Sequence, residues 1–195
     1  MNWTLPGTVL QIDSGQAAGT AGLFRSMFLP GGMVLSQVAG ISGLEPYTVQ
    51  NWVKRGFLAP PKGKRYTMRQ LCRILNINML KGALPMERIC RLIGSINGRL
   101  DDESDDLIDE SQLYFLFVRL AARAWELDTE EKRQEAVSNV LMGYEEPVPG
   151  ARERIAQVLR VMLTAYLCTC LRQETERQLE QLMRAQPDHE NRSIN

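Results

Sequence analysis

The chain has few of the side chains that carry most enzyme chemistry. Of 195 residues only one is histidine, His189, and it stands close to the end of the chain. General acid–base and nucleophilic schemes most often depend on histidine. The sequence also contains no Walker loop and no glycine-rich dinucleotide fingerprint. We therefore expect a protein that is not an enzyme, has no catalytic residues and binds no cofactor.

Cysteine is also scarce, and its spacing matches no disulfide framework. The four cysteines are Cys72, Cys90, Cys168 and Cys170. This usage is typical of a reduced, cytoplasmic protein. Cys168 and Cys170 lie two positions apart on a predicted helix, which directs their sulfurs to nearly opposite sides, so they cannot chelate one metal ion. We expect no metal site.

Long uninterrupted apolar runs are missing as well. The first residues do not show a basic region followed by an apolar core, and the longest apolar stretch, Ile155 to Leu171, contains Arg160. These features predict neither a signal peptide nor a membrane span. A cytoplasmic location without membrane contact is the expectation.

The chain has no net charge, but its charges are segregated. Residues 35–95 contain ten lysines and arginines against two glutamates, a net charge of +8, and the remainder therefore carries −8. A basic block alone is typical of a solvated surface. A basic block that coincides with a DNA-binding motif is the electrostatic footprint of a protein that binds phosphate backbones.

Such a motif is centred on residues 45–58, EPYTVQNWVKRGFL. Pro46 suits the first turn of a helix and Gly56 the left-handed position that ends one. Val49, Trp52 and Val53 recur at helical spacing and form one apolar face. The remaining residues form a polar and cationic face: Tyr47, Thr48, Gln50, Asn51, Lys54 and Arg55.

The neighbouring segments extend this motif. Upstream, residues 35–39 form a short amphipathic piece and residues 40–43 a tight turn, which together with the Pro46 helix predict a helix-turn-helix. Downstream, residues 58–66 contain two prolines and carry Lys62, Lys64 and Arg65 around Gly63, which predicts a small basic wing. A capping box at residues 67–70 begins the next helix, and Pro85 begins another.

The order of these parts resembles the DNA-binding domain of the MerR family of bacterial transcription regulators. The resemblance rests on Thr48-Val49, Trp52, the Gly56-Phe57-Leu58 run, the Arg65-Tyr66 end of the wing and the leucine-rich helix pair that follows. Where MerR proteins usually carry an arginine and a tyrosine in the recognition helix, this chain has Gln50 and Asn51. The stretch GFLAPPKGKRYTMRQLCRILNINMLKGALPMERICRLI is similar, more closely, to an uncharacterised bacterial family of unknown function with a MerR-like fold.

The motif and the resemblance together predict an all-α protein with five parts. They are an N-terminal arm (1–33), a MerR-like winged helix-turn-helix domain (34–97), an acidic linker (98–110), a helical domain for dimerisation or effector binding that ends in a long helix (111–185), and a disordered tail (186–195). The arm is expected to pack on the body, with a partner-binding segment as its alternative. The DNA-binding candidates are Tyr47, Thr48, Gln50, Asn51, Lys54, Arg55, Lys62, Lys64, Arg65 and Tyr66.

The acidic linker has seven acidic residues among positions 101–110. A calcium loop fails here, because the position that needs glycine holds Asp106 and the position of the last bidentate ligand holds Gln112. We therefore predict a solvated linker, with Asp109 or Ser111 capping the next helix. That helix, Leu113 to Trp125, is apolar nearly all round and is expected in the core.

The predicted final helix runs from Ala151 to Met183. Ile155, Leu159, Met162 and Tyr166 step by four, three and four residues, the spacing of a helix seam, and Leu179, Leu182 and Met183 continue an apolar edge. A polar gap at residues 173–178 interrupts this edge. We therefore expect a homodimer held by the C-terminal helices, in which the first half of the helix packs within its own domain and only part of the helix contacts the partner. The predicted function is a sequence-specific DNA-binding transcriptional regulator. The alternatives are a helical protein–protein interaction module and a small-molecule sensor with an apolar effector between residues 113–125 and the final helix.

Overall fold

Helices dominate the computed structural model, which describes residues 2–100, 102 and 104–185. The mostly helical fold is therefore confirmed, with a two-stranded antiparallel sheet as an addition. The sheet was missed because strands of three residues are too short to show alternation. The elements are β1 Asn2–Thr4, β2 Gln11–Asp13, α1 Thr20–Met27, α2 Leu35–Ser42, α3 Pro46–Lys54, α4 Met68–Leu80, α5 Met86–Gly94, α6 Glu110–Ala121, α7 Glu130–Val140 and α8 Ala151–Ala185, with 3-10 turns at Ser14–Gly19 and Ala124–Glu126.

The core is built around α4 and α6, which form the most extensive contact between helices, and α8 packs on both. Their inward side chains are fully buried and include Leu71, Ile74 and Leu75 of α4 and Tyr114 and Phe117 of α6. Each such burial contributes about 1.5 to 3 kcal/mol. One continuous apolar cluster runs from Leu5 to Ala165. The predicted DNA-binding and C-terminal parts therefore share a core.

The N-terminal arm is fixed to α4 and α6 by hydrogen bonds. Tyr114 Oη donates to the carbonyl of Pro6 at 2.9 Å, and Asn78 Nδ2 donates to the carbonyls of Gly7 at 2.9 Å and Ser42 at 2.8 Å. Gly7 has φ +72°, and a Cβ there would lie 2.2 Å from the Leu75 carbonyl oxygen, so the approach requires glycine. Phe24 of α1 is fully buried. The arm packs on the body.

Helix α8 has two different halves. Its first half is part of the core, with Ile155, Leu159, Met162 and Leu163 fully buried. By length and composition alone α8 is apolar enough to cross a membrane, because one 18-residue window has a mean hydropathy of 1.3, and 33% of that window is buried. That is weak evidence, because the core helix of a globular protein has the same properties. Its second half exposes Leu171, Leu179, Leu182 and Met183.

The acidic segment differs from the predicted solvated linker. The Asp106 side chain is 7% exposed and the Glu110 side chain 2%, and they form ion pairs with Arg69 and Arg73 of α4. Asp109 pairs with Arg69 at 3.3 Å and also caps α6, as predicted, by accepting from the backbone N–H of Ser111 at 2.8 Å. The sequence pattern did not predict these ion pairs, because Arg69 and Arg73 lie 37 positions before Asp106 and Glu110. A local pattern reports only on residues a few positions apart.

Two further predictions need comment. The helix predicted for residues 113–125 ends at Ala121, and Trp125 lies in a 3-10 turn with 63% of its surface exposed, so it is not a core residue. The predicted disordered tail, residues 186–195, and with it His189, lies outside the described residues.

Candidate nucleic-acid interface

Helix α3 forms where the sequence predicted it. Pro46 occupies its first position, after Glu45 in an extended conformation, and Gly56 follows it with φ +73°. The Gly56 N–H donates to the Val53 carbonyl at 3.0 Å, which satisfies one of the last carbonyls of the helix. Val49 and Trp52 are 0% and 4% exposed. With this face buried, the opposite, polar face of α3 is directed outward.

A three-residue turn, residues 43–45, sets α3 against α2. Gly43 ends α2 in the left-handed region, with φ +67°, and its N–H donates to the Ala39 carbonyl at 2.9 Å. Ser42 Oγ donates to the Val38 carbonyl at 2.8 Å and accepts from the Leu44 N–H at 3.3 Å. Two short helices joined by a tight, hydrogen-bonded turn hold the polar face of α3 in one orientation.

The wing, residues 58–66, is a short hairpin. Lys62 pairs with Arg65, whose N–H donates to the Lys62 carbonyl at 3.0 Å, and the two central residues have positive φ, +56° at Gly63 and +60° at Lys64. Two successive left-handed residues are the signature of the type I′ turn, the connection that fits the twist of a hairpin. The turn places Lys64 at the tip.

Two side chains attach the wing to neighbouring segments. Arg65 Nη1 donates to the Gly32 carbonyl at 2.9 Å, and the backbones of Tyr66 and Met33 bond each other, at 2.7 and 3.0 Å. On the other arm of the wing, Gln70 Nε2 donates to the carbonyls of Ala59 at 2.9 Å and Pro60 at 3.1 Å. Gln70 also completes the predicted capping box with Thr67. The wing is therefore anchored to α4 and to the segment before α2.

The wing and α3 line a common cleft of about 550 Å³. Its walls come from the start of α2, from α3 and from the wing: Val34, Leu35, Ser36, Gln50, Val53, Pro61, Lys64 and Tyr66. Three of the predicted residues, Gln50, Lys64 and Tyr66, meet there. The three residues at the start of α2 were not among the candidates, although Ser36, a polar residue in the first turn of a helix that precedes α3, offered a signal.

Most of the predicted residues are available to a ligand. Tyr47 is 75% exposed, Gln50, Lys54, Lys62 and Lys64 are exposed, and Thr48 and Asn51 are half-buried. Within the part of the chain that the structure describes, none of these seven side chains donates, accepts or forms an ion pair. This face of the molecule therefore holds amide, hydroxyl and ammonium groups that the fold itself does not use.

Three predicted residues are engaged by the fold. Arg55 stacks on the Phe57 ring, 4.5 Å from its centroid, and pairs with Glu87 at 3.3 Å. Arg65 bonds Gly32, as described above. Tyr66 is a correction: its side chain is only 3% exposed, and burial raises its pKa, so it supports the cleft from beneath as a neutral phenol.

The cysteines do not form a metal centre in the described ranges. There, no group of three or more histidine, cysteine, aspartate or glutamate side chains lies close enough to hold a metal ion. Cys72 is buried in α4, and burial raises the pKa of its thiol well above the usual range. Cys168 is exposed and Cys170 half-buried on α8. The expected absence of a metal or cofactor stays a prediction.

Part of the chain matches a known protein family. Residues 34–117 match the family described as Domain of unknown function (DUF1836). The matched segment runs from the start of α2 into α6 and includes the wing and the acidic segment. It agrees with the similarity to an uncharacterised family noted in the sequence. Neither a curated protein nor a solved structure matches the chain.

Proposed function

We propose that the protein is a sequence-specific DNA-binding transcriptional regulator of MerR-like type, which reads DNA with α3 and the wing as a winged helix-turn-helix. One observation carries the proposal: α3 and the wing line a common cleft, and seven of their polar and cationic side chains form no hydrogen bond or ion pair within the described chain. Groups that a fold leaves unused on one face are available to an external ligand. Their chemistry suits nucleic acid.

In the proposed complex α3 lies in the major groove. Gln50 and Asn51 carry amides, which can pair with both the N6 donor and the N7 acceptor of adenine. Lys54, at the last position of α3, is placed for the phosphate backbone, and the hydroxyls of Tyr47 and Thr48 suit phosphate or sugar contacts. In this assignment the amides supply sequence selection and the other side chains supply orientation.

The wing contacts the adjacent backbone in this arrangement. Lys62 and Lys64 are exposed, and Arg65 holds the hairpin through its bond to Gly32. Ser36, in the first turn of α2, presents a hydroxyl and a helix N-terminus to the same cleft, a common way for proteins to bind phosphate. The cleft then accommodates the sugar-phosphate strand between α3 and the wing.

A second copy of the chain completes the proposal. The α3 helix and wing of one chain cover only a few base pairs. Selective binding therefore needs two chains on two half-sites, and a symmetric dimer sets the distance between these half-sites. The predicted seam is divided in the structure: Ile155, Leu159 and Met162 are buried in their own chain. The later apolar residues are exposed and available to a partner: Leu171, Leu179, Leu182 and Met183.

The same exposed edge of α8 favours a second candidate function, a protein–protein interaction module without specific DNA binding.

The sensor alternative has less support at the place predicted for it, because Leu113, Tyr114 and Phe117 are packed in the core. Trp125 and Tyr166 do line a separate, open cleft of about 730 Å³ with the N-terminal arm. A cytoplasmic location stays a prediction.

Selection of random DNA duplexes against the purified full-length chain tests the proposed function. Enrichment of one motif is expected, with two related half-sites if the active form is a dimer. A variant with Gln50 and Asn51 both replaced by alanine should lose the motif, whereas a control with exposed Asn139 and Gln134 of α7 replaced should retain it. Retention of binding without any enriched motif would favour the interaction module.

Truncation after Arg172 tests the dimer. It removes Leu179, Leu182 and Met183 but none of the core residues of α8, so helicity and thermal unfolding should change little. Sedimentation should show weaker dimerisation, and affinity for the selected motif should fall more than nonspecific affinity, by up to about 10²-fold. A full-length chain that sediments as a monomer at micromolar concentrations, or a truncated chain that dimerises equally well, would refute this arrangement.

A further inference from the structure

A second cleft lies beside the first arm of the wing. It has a volume of about 360 Å³, at the lower end of the range for small-molecule sites. One wall is the first arm of the wing, residues 58–62, a second is α4 with Arg69, Gln70 and Arg73, and a third is the segment after α5 with Asn97, Arg99 and Leu100, while Glu110 contributes from the start of α6. The cleft thus joins the wing to the acidic segment.

Two of the residues that line this cleft carry buried polar atoms without partners among the described residues. Asn97 is 2% exposed, and neither its Nδ2 nor its Oδ1 has a hydrogen-bond partner among the described residues. Glu110, also 2% exposed, uses Oε1 for Arg73 and leaves Oε2 unsatisfied by any described group. Burial of a polar group without a partner is costly, and folded proteins contain few such groups. Two of them on the walls of one cleft indicate a site that an external molecule completes.

The arginines that α4 contributes to these walls are paired with acidic side chains, whereas Lys62 and Arg99, which also line the cleft, are exposed. Arg73 is bound to Glu110 and, through Nε, to the Phe57 carbonyl at 2.9 Å. Arg69 is paired with Asp106 and Asp109. The unsatisfied atoms comprise a donor and an acceptor on Asn97 and an acceptor on Glu110, beside the apolar surfaces of Leu58, Pro60 and Leu100. A full charge on the ligand would therefore have no unused counter-charge among the buried groups.

We propose that this cleft binds one small uncharged molecule, which presents a hydrogen-bond donor beside an acceptor, as an amide or a nitrogen heterocycle does, to Asn97 and Glu110 and an apolar body to the wing. The site stands independently of DNA binding. Its consequence for regulation rests on the proposed function: because residues 59–62 form both a wall of the cleft and an arm of the wing, occupancy changes the wing position and hence DNA affinity.

Thermal unfolding of the full-length chain with four groups of compounds tests the site. They are uncharged donor–acceptor compounds (nicotinamide, cytosine and adenine), anions (benzoate and inorganic phosphate), a cation (putrescine) and an apolar compound (toluene). We expect a compound of the first group to raise Tm by about 3 to 6 °C at roughly tenfold its Kd. No rise with that group, or a rise with only the charged or apolar compounds, would overturn the proposal.

Two variants locate the binding. Asn97→Leu removes the unpaired amide at similar volume, so its own Tm should be equal to or above that of the wild type, while the compound should no longer raise it. Asn139→Leu, an exposed asparagine on α7 that does not line the cleft, should retain the full rise. If N97L does not fold, Ala59→Met, which fills the cleft from the wing, replaces it. A rise that persists in the folded N97L or A59M variant would refute the site.

DNA binding is measured separately, with and without the stabilising compound. Stabilisation that depends on Asn97 in a protein that selects no DNA motif would support the cleft and reject the proposed function. Selection of a DNA motif without stabilisation by any compound would support the proposed function and reject the cleft as a binding site. A change in DNA affinity that the compound causes in the wild type and not in N97L would support both the cleft and its coupling to the wing.

Discussion

Two regions of the molecule contain basic side chains from the same +8 block, and the fold uses them differently. On α3 and the wing, Lys54, Lys62 and Lys64 are exposed and have no ion-pair partner among the described residues. On α4, Arg69 and Arg73 are largely buried and paired with the acidic segment. Charges of one sign, adjacent in sequence, are therefore exposed and unpaired in one region and paired within the core in the other.

The comparison changes how the charge count should be interpreted. The +8 of residues 35–95 and the seven acidic residues of positions 101–110 partly neutralise each other on folding. The electrostatic footprint is therefore smaller than the sequence count. The exposed charge that remains lies on α3 and the wing and also, through Lys81, Arg88 and Arg91, at the end of α4 and on α5. A segregated sequence charge indicates nucleic-acid binding only for the part that remains unpaired in the fold.

The largest expected effect comes from the buried pair of Arg73 and Glu110. Glu110→Leu leaves the buried Arg73 guanidinium without its carboxylate partner, and we expect a loss of about 5 kcal/mol in the free energy of unfolding. Arg73→Met leaves a carboxyl that can take up a proton, so the loss should be nearer about 3 kcal/mol. The double variant should be close to the wild type. Urea denaturation of the wild type, the two single variants and the double variant measures the coupling free energy between Arg73 and Glu110.

The exposed pair of Arg123 and Glu126 is the matched control. Its side chains are 68% and 63% exposed at a distance of 2.9 Å, and each single substitution to alanine should change stability by less than about 1 kcal/mol. If the substitutions at Arg73 and Glu110 have effects as small as these, the acidic segment is solvated after all, and the contrast between the two regions disappears.

The next largest effect is expected on α3, where it should appear in binding and not in stability. Asn51→Ala should cost about 1 to 3 kcal/mol of discrimination at the base pair that Asn51 reads, with unfolding almost unchanged. Competition binding with the selected duplex and its single-base variants measures this. Asn139→Ala on α7 is the control. Unchanged affinity and an unchanged motif would show that Asn51 only solvates a helix face.

A smaller effect, on pH dependence, should distinguish the regions further. Burial raises the pKa of Glu110, although Arg73 opposes the shift. The folded state binds this proton more tightly than the unfolded state does. Protonated Glu110 therefore adds stability that is fully present below its unfolded pKa, about 4.5, and that is lost as pH rises through the folded pKa. The stability difference between wild type and Glu110→Gln should follow this trend in urea denaturation from about pH 4 to pH 8. A difference independent of pH would contradict it.

Local signals in the sequence were sufficient for most helices. Pro46 and Gly56 marked both ends of α3, the Thr67 capping box marked the start of α4, and Asp109 capped α6, because these signals act within a few residues. The short strands β1 and β2 carry no comparable signal. Their pairing depends on a loop whose Gly7 packs against α4, which is a tertiary contact.

The candidate interface was predictable in part for the same reason. The exposed residues of α3 followed from helical periodicity, and Gly63 indicated the turn of the wing. The burial of Tyr66, the attachment of Arg55 to Glu87 and the contribution of α2 to the cleft were not predictable, because each depends on elements that meet only in the folded chain. The cleft at Asn97 depends on four separate segments and left no local signal.

The salt dependence of DNA affinity tests the central claim, that α3 and the wing bind the phosphate backbone. The log–log slope should be steep for the wild type. Lys62→Ala, Lys64→Ala and Arg65→Ala together should reduce it by about 0.9 for each phosphate that the variant no longer neutralises, or between about 2 and 3. A control that removes three exposed arginines elsewhere, Arg25, Arg119 and Arg154, changes net charge equally and should leave the slope nearly unchanged. Affinity that does not respond to salt, or an equal reduction in the control, would contradict the account.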